Sequence, residues 1–142
     1  MMKNLVFILI LVTNFTMNSQ EKLPYSEIPT ASNEYTPGTT ASRLIDGLGF
    51  RYYWTTEGLK EKDLVFKPNA AARSSEETID HILGLSQVIL NATLKVKNGQ
   101  QQPEMTFVEK RKKTLENLHQ ASEILRVSND ISQYKMIFGE NR

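Results

Sequence analysis

Apolar residues along this chain fall into three blocks with helical spacing, separated by stretches rich in proline, glycine and amides. In the first block, Thr40 to Lys60, they recur at Leu44, Ile45, Leu48, Tyr52 and Leu59, close to a 3.6-residue period, with Arg43, Asp46, Arg51 and Glu57 on the remaining surface. Gly47 and Gly49 oppose a helix by about 1 kcal/mol each, so their presence predicts close approach of another backbone. The second block opens on Ser74-Ser75-Glu76-Glu77, a Ser-x-x-Glu capping box with two acids in the first turn, and is then apolar on most of its circumference as far as Leu94 or Lys97. Asn98-Gly99 is its expected stop. The third block begins at Thr106, where Glu109 completes another capping box. It places Phe107, Val108, Leu115, Leu118, Ala121 and Leu125 on one face, with Lys110, Lys112, Lys113, Glu116 and Gln120 opposite. The Lys110 to Lys113 run reads as a solvated face supported by acid–base pairs four apart.

Between and around these blocks the chain is less regular. Residues 20–38 carry Pro24, Pro29 and Pro37 with no sustained period and read as an irregular arm, which Tyr25, Ile28 and Tyr35 are placed to pin. Lys62 to Asn69 holds Leu64, Phe66 and Pro68, an apolar stitch expected to lie across the helix ends as a loop. After Asn129-Asp130, the segment Ile131 to Phe138 is apolar enough to need a surface to pack on.

The pattern therefore predicts an all-α fold, three long helices joined by short loops, with antiparallel neighbours in a bundle. The second helix is more apolar than two companions cover. Its uncovered side predicts a partner, and a homodimer through the open groove is one way to supply it.

Ahead of this domain the first residues look like an export signal. Lys3 provides a positive start, Leu5 to Val12 is an unbroken apolar run of eight, and the polar segment Thr13 to Gln20 follows. The division is a signal peptide over 1–19, an arm over 20–38 and a helical bundle over 39–142. Eight apolar residues are too few for a bilayer, which needs about 20, so no stable membrane span is expected once the signal is removed. The expected location is exported, periplasmic or secreted. Beyond Lys3 the charges balance at sixteen basic against sixteen acidic residues, which argues against nucleic acid as a partner. With no cysteine, the chain can form neither disulfides nor thiolate metal sites.

The residue that packing does not explain is His81, one turn after Glu77 and beside Gly84 on the second helix. A histidine in an interhelical groove with a carboxylate one turn back is suited to metal ligation or general-base work. The bland alternative is a histidine whose ring nitrogens are satisfied by a neighbouring helix. His119, on the polar side of the third helix, reads as exposed rather than as a ligand. There is no Gly-rich phosphate loop, no His-Glu-x-x-His and no nucleophile elbow.

Three segments together resemble the first two helices of the DinB-like (DinB/YfiT) superfamily: Leu44 to Leu59 with its Arg51-Tyr52-Tyr53-Trp54 patch, the linker Asp63-Leu64-Val65-Phe66-Lys67-Pro68, and Ser74 to Leu85 with its single histidine. The similarity extends over about residues 39–138. It implies a four-helix bundle holding nickel or zinc through three histidines, one from the second helix and two from a His-x-x-x-His pair on the last. His81 matches the first position. The other two have no counterpart, so the resemblance implies a C-terminally truncated member with its fourth helix missing and an incomplete metal site. It further implies a divalent-metal-dependent enzyme of the thiol-dependent transferase or hydrolase-like kind, acting on an unknown small-molecule substrate and inactive as these 142 residues. The alternative is a non-catalytic exported helical binding module.

Overall fold

The computed structural model describes residues 22–139, and the expected signal peptide lies outside them. Among the described residues the fold is all-helical: α1 (Pro37–Thr56), a single short turn α2 (Glu61–Leu64), α3 (Ser75–Leu94) and α4 (Phe107–Arg126). Each long helix starts where its side chains satisfy the free N–H groups of the first turn. Thr36, Ser74 and Thr106 accept from the backbone N–H three residues on, and the residue there reaches back to the cap. Pro37 at the first position explains why α1 begins three residues before the expected Thr40.

The other end of α3 differs from expectation. Lys95, not Gly99, takes the left-handed conformation that terminates the helix (φ 59°), and the Val96 N–H returns to the Asn91 carbonyl at 2.9 Å. Gly99 also has a positive φ, but it lies in the connection rather than at the cap.

Helix α4 is the centre of the molecule. It packs against α1 on one side and α3 on the other, while no Cα of α1 comes within 8 Å of a Cα of α3. Ser42 pairs with Ser122, and Arg111 meets Thr56, so α1 and α4 run in opposite directions. Lys110 meets Asp80 and Asn117 meets Ser86, so α3 and α4 run in the same direction. This corrects the expectation of antiparallel neighbours throughout. A 20-residue helix is about 30 Å long, and the connection from Lys95 to Thr106 has to run back along that length. Extended chain covers roughly 3.3–3.6 Å per residue, so the eleven steps reach about 36–40 Å and the connection must be largely extended. That accounts for its lack of regular structure.

The core gathers Tyr25, Tyr52, Leu115 and Leu118, with Ile45, Tyr53, Ile82 and Ile89 packed around them. Tyr25 comes from the arm, and of the three residues expected to pin the arm it alone is buried; Ile28 and Tyr35 are exposed. Its backbone sits at φ 71°, which costs a non-glycine residue about 1–2 kcal/mol. Burying the whole ring outweighs that cost. Gly49 is required there, since a Cβ on it would lie 2.4 Å from the Tyr25 ring. The close backbone approach expected at Gly47 and Gly49 occurs instead at Gly38, whose missing Cβ leaves room for the Leu125 and Ser128 carbonyls at the end of α4. A Cβ on Gly47 would meet only the Arg51 side chain of its own helix.

The linker and the tail both lie on the outside. Phe66 and Val65 are exposed while Leu64 is half-buried, so the stitch covers less than expected. The tail after Asp130 returns to the C-terminal end of α3, where Ile137 bridges Lys97 and accepts from the Asn98 N–H at 2.8 Å.

Candidate functional site

His81 is positioned by the start of α3. The Ser74 hydroxyl accepts from the Glu77 N–H at 3.0 Å, and the Glu77 carboxylate accepts from the Ser74 N–H at 2.6 Å and from Lys67 at 3.1 Å. The backbone N–H bond to Ser74, followed by the contact with Lys67, holds the Glu77 carboxyl below its ordinary range. That carboxylate is thus turned back onto the helix start. The pairing of Glu77 with His81 that their spacing suggested does not form.

His81 itself is exposed, not turned into the three-helix core. Ile82 and Ile89 carry the packing of α3 against the cluster around Tyr52. Leu85, three residues after Ile82 and four before Ile89, lies beside them on the helix surface and is 49% exposed. His81 follows one turn back on the outer side of the same stripe. Gly84 next to them has nothing within 4 Å of where its Cβ would stand. On α1, Leu48 is 42% exposed and Leu44 is 73% exposed. An apolar face thus runs along each outer helix, the two helices are held apart by α4, and His81 stands at the edge of the α3 face.

Between α1 and α4 two buried hydroxyls, those of Tyr52 and Thr114, make no hydrogen bond of good geometry. Burial pushes the Tyr52 phenol above its ordinary range, while the nearby Thr114 hydroxyl and the Arg111 charge pull the other way. Arg111 was expected on a solvated face. Instead it turns inward, donating to the Thr56 hydroxyl at 2.9 Å and the Tyr53 carbonyl at 3.1 Å, pairing with Glu57 and stacking over the Tyr53 ring at 4.6 Å. In doing so it supplies the C-terminal carbonyls of α1 with a cation. Lys110 is also drawn in, to Asp80 at 2.7 Å and Glu76 at 3.2 Å. Lys112 pairs with Glu116 as the i,i+4 pattern predicts.

On the far side of α4 the arm closes a second region. Asp46, expected at the surface, is completely buried. Its Oδ1 accepts from Ser122 at 2.6 Å and Tyr25 at 3.2 Å, and its Oδ2 faces Arg126 at 2.8 Å. Burial first, then the Asp46 charge and hydrogen bond, hold the Tyr25 phenol well above its ordinary range. Periodicity places Asp46 only one residue from Ile45, so a simple apolar-stripe reading misses it. The available signal is the small polar series Ser42, Asp46, Gly49 on α1 matched by Ser122 and Arg126 one turn apart on α4. Above this network the arm and α4 enclose a cleft of about 550 Å³, with Leu23, Pro29, Glu116 and His119 in its walls. His119 is exposed as expected, its ring edge-on to Tyr25 at 5.8 Å.

His81 has one imidazole to offer, and among the described residues no group of three or more His, Asp or Glu side chains is placed to hold a metal ion. The residues present do not by themselves fit the three-histidine site that the resemblance implies. Also among the described residues, no helix is long and apolar enough to cross a membrane. Compared with protein-family models, curated proteins and solved structures, the chain matches none.

Proposed function

We propose that this chain contributes three long helices to an exported four-helix bundle of the DinB/YfiT type, in which a fourth helix lies in the groove between α1 and α3. That helix, whether from sequence after residue 142 or from a separate polypeptide, brings the two further imidazoles that join His81 around nickel or zinc. The complete bundle is a divalent-metal-dependent enzyme acting on a small molecule, of the thiol-dependent transferase or hydrolase-like kind. The 142 residues alone are inactive, because a single neutral imidazole does not retain a divalent ion.

The observation that supports this reading is one-sided burial. Leu85 of α3 and Leu44 and Leu48 of α1 are exposed along two helices that both pack on α4 and have no Cα pair within 8 Å of each other, and His81 borders that surface. Apolar faces of this extent on neighbouring helices are stabilised by covering them.

The decisive experiment begins with the nucleotide sequence after codon 142. An in-frame continuation encoding two histidines four residues apart on an apolar-periodic segment is the expected result. Purified protein extended through that segment should then carry close to one nickel or zinc per chain by elemental mass spectrometry, and His81→Ala should lose it. No such pair, or full metal content in the His81→Ala protein, refutes the reading.

A second reading, a non-catalytic exported module that binds a partner in the same groove, is favoured by one observation: Glu77 is committed to the cap of α3 and gives His81 no carboxylate partner. It gains if the extended gene carries no histidine pair.

A further inference from the structure

A different part of the surface carries a separate inference. The crossover from α3 to α4, the outer face of α3 and the returning tail enclose a cleft of about 660 Å³. That volume falls within the range of small-molecule sites, roughly 300–1,000 Å³. Among the described residues no charged side chain lines it. Six of its eleven lining residues carry a primary amide: Gln87, Asn91, Asn98 and the run Gln100 to Gln102. Val88 and Phe138 supply apolar surface, and the Phe138 ring is exposed.

The amides at the base of the cleft are fixed by a directional chain of hydrogen bonds. Asn117 Nδ2 donates to Gln87 Oε1 at 3.2 Å, Gln87 Nε2 to Asn91 Oδ1 at 2.8 Å, Asn91 Nδ2 to Asn98 Oδ1 at 2.9 Å, and Asn98 Nδ2 to the Ile137 carbonyl at 3.1 Å. Asn91 and Asn98 are each only 9% exposed, yet both line the cleft. A primary amide has two N–H donors and two acceptor lone pairs. Among the described residues Gln87, Asn91 and Asn98 each use one donor and one acceptor in the chain. Each therefore keeps one of both kinds, held in a fixed order by its neighbours.

From this arrangement we infer that the cleft is a binding site for a neutral, polyhydroxylated small molecule, a mono- or disaccharide. A sugar hydroxyl both donates and accepts, which matches an amide that has one donor and one acceptor to spare. The C–H face of a sugar ring is apolar and suits the Phe138 ring and Val88. An anionic or cationic ligand finds no counter-charge among the described residues of the lining, and desolvating its charge without one is unfavourable. Neither α1 nor His81 takes part, so the site is independent of the metal reading.

The test uses the full chain, with side-chain amide resonances followed by ¹⁵N–¹H correlation spectra. Glucose, galactose, cellobiose and lactose are titrated separately, with gluconate as the charged comparison. Saturable shifts of the Gln87, Asn91 and Asn98 side-chain amides with at least one neutral sugar, and none with gluconate, are expected. Phe138→Ala and Gln101→Ala, both at exposed positions, should keep the spectrum of the folded chain and weaken binding by about tenfold each, the factor that 1.4 kcal/mol represents. No saturable shift of those amides with any of the four sugars overturns the inference, and so does affinity unchanged in both variants.

Discussion

Arg126 crosses the α1–α4 interface to Asp46, Nη2 to Oδ2 at 2.8 Å, and the carboxylate it meets is completely buried. The same carboxylate accepts from Tyr25 of the arm and Ser122 of α4. One side chain thus ties three parts of the chain together, in a network that also joins Ser122 to Ser42 and Arg126 to Glu123.

Asp46→Ala is therefore expected to destabilise the protein by about 3 kcal/mol, the low end of the cost of breaking a buried pair, because Arg126 is partly exposed and keeps Glu123. Tyr25→Phe removes one hydrogen bond but keeps the ring, and should cost about 1 kcal/mol. Urea denaturation of both proteins checks the order; an Asp46→Ala cost no larger than that of Tyr25→Phe would show that the Asp46 contacts beyond the Tyr25 hydrogen bond add nothing.

Tyr25 and Tyr52 both have phenols raised above their ordinary pKa by burial. A group whose folded pKa is raised contributes stability that is intact below its unfolded pKa, near 10, and is lost as pH rises beyond it. Alkaline titration followed at 295 nm should show the Tyr25 and Tyr52 phenols ionising only as the fold is lost. In Tyr25→Phe the late step should shrink to one.

At the acid end the sign reverses. Glu77 and Glu109 are held below their ordinary pKa chiefly by the cap N–H groups of Ser74 and Thr106. Their contribution is complete above the unfolded value of about 4.5 and disappears as pH falls through the lower folded values. The denaturation midpoint should fall below about pH 4.5, and the fall should be shallower in the Glu77→Gln, Glu109→Gln double variant.

Glycines provide a contrast in sign. In Gly38→Ala the added Cβ would meet the Ser128 carbonyl at 2.0 Å and the Leu125 carbonyl at 2.3 Å, backbone that cannot swing away, so a loss of about 1–3 kcal/mol is expected. Gly84→Ala meets nothing within 4 Å and should raise helix stability by roughly 0.5–1 kcal/mol. Thermal melts of the two variants should move in opposite directions.

If the groove between α1 and α3 is left uncovered, two copies of the chain should associate through it at high concentration. Replacing Leu48 and Leu85 with Glu, both partly exposed, should abolish that association with little change in monomer stability. Sedimentation velocity across a concentration series checks this, and a monomer at every concentration in the unmodified chain would count against it.

The local signals in the amino-acid sequence were sufficient for what depends on neighbours three or four residues apart. The caps at Ser74 and Thr106, the extent of α3 and α4 to within a few residues, the Lys112–Glu116 pair and the exposure of His119 all follow from short-range hydrogen bonding and helical period. Tertiary structure decided everything that depends on which faces meet. Asp46 became a buried anchor because Tyr25, Ser122 and Arg126 converge on it from segments 21 to 80 residues away. Arg111 left the solvated face because the end of α1 presents the Tyr53 carbonyl, the Thr56 hydroxyl and the Glu57 carboxylate to it. Most of all, α3 and α4 run in parallel because an extended crossover returns the chain to the same end, and that choice leaves α1 and α3 apart with His81 beside the gap. Periodicity tells a helix which side is apolar; only the path of the chain determines what, if anything, covers it.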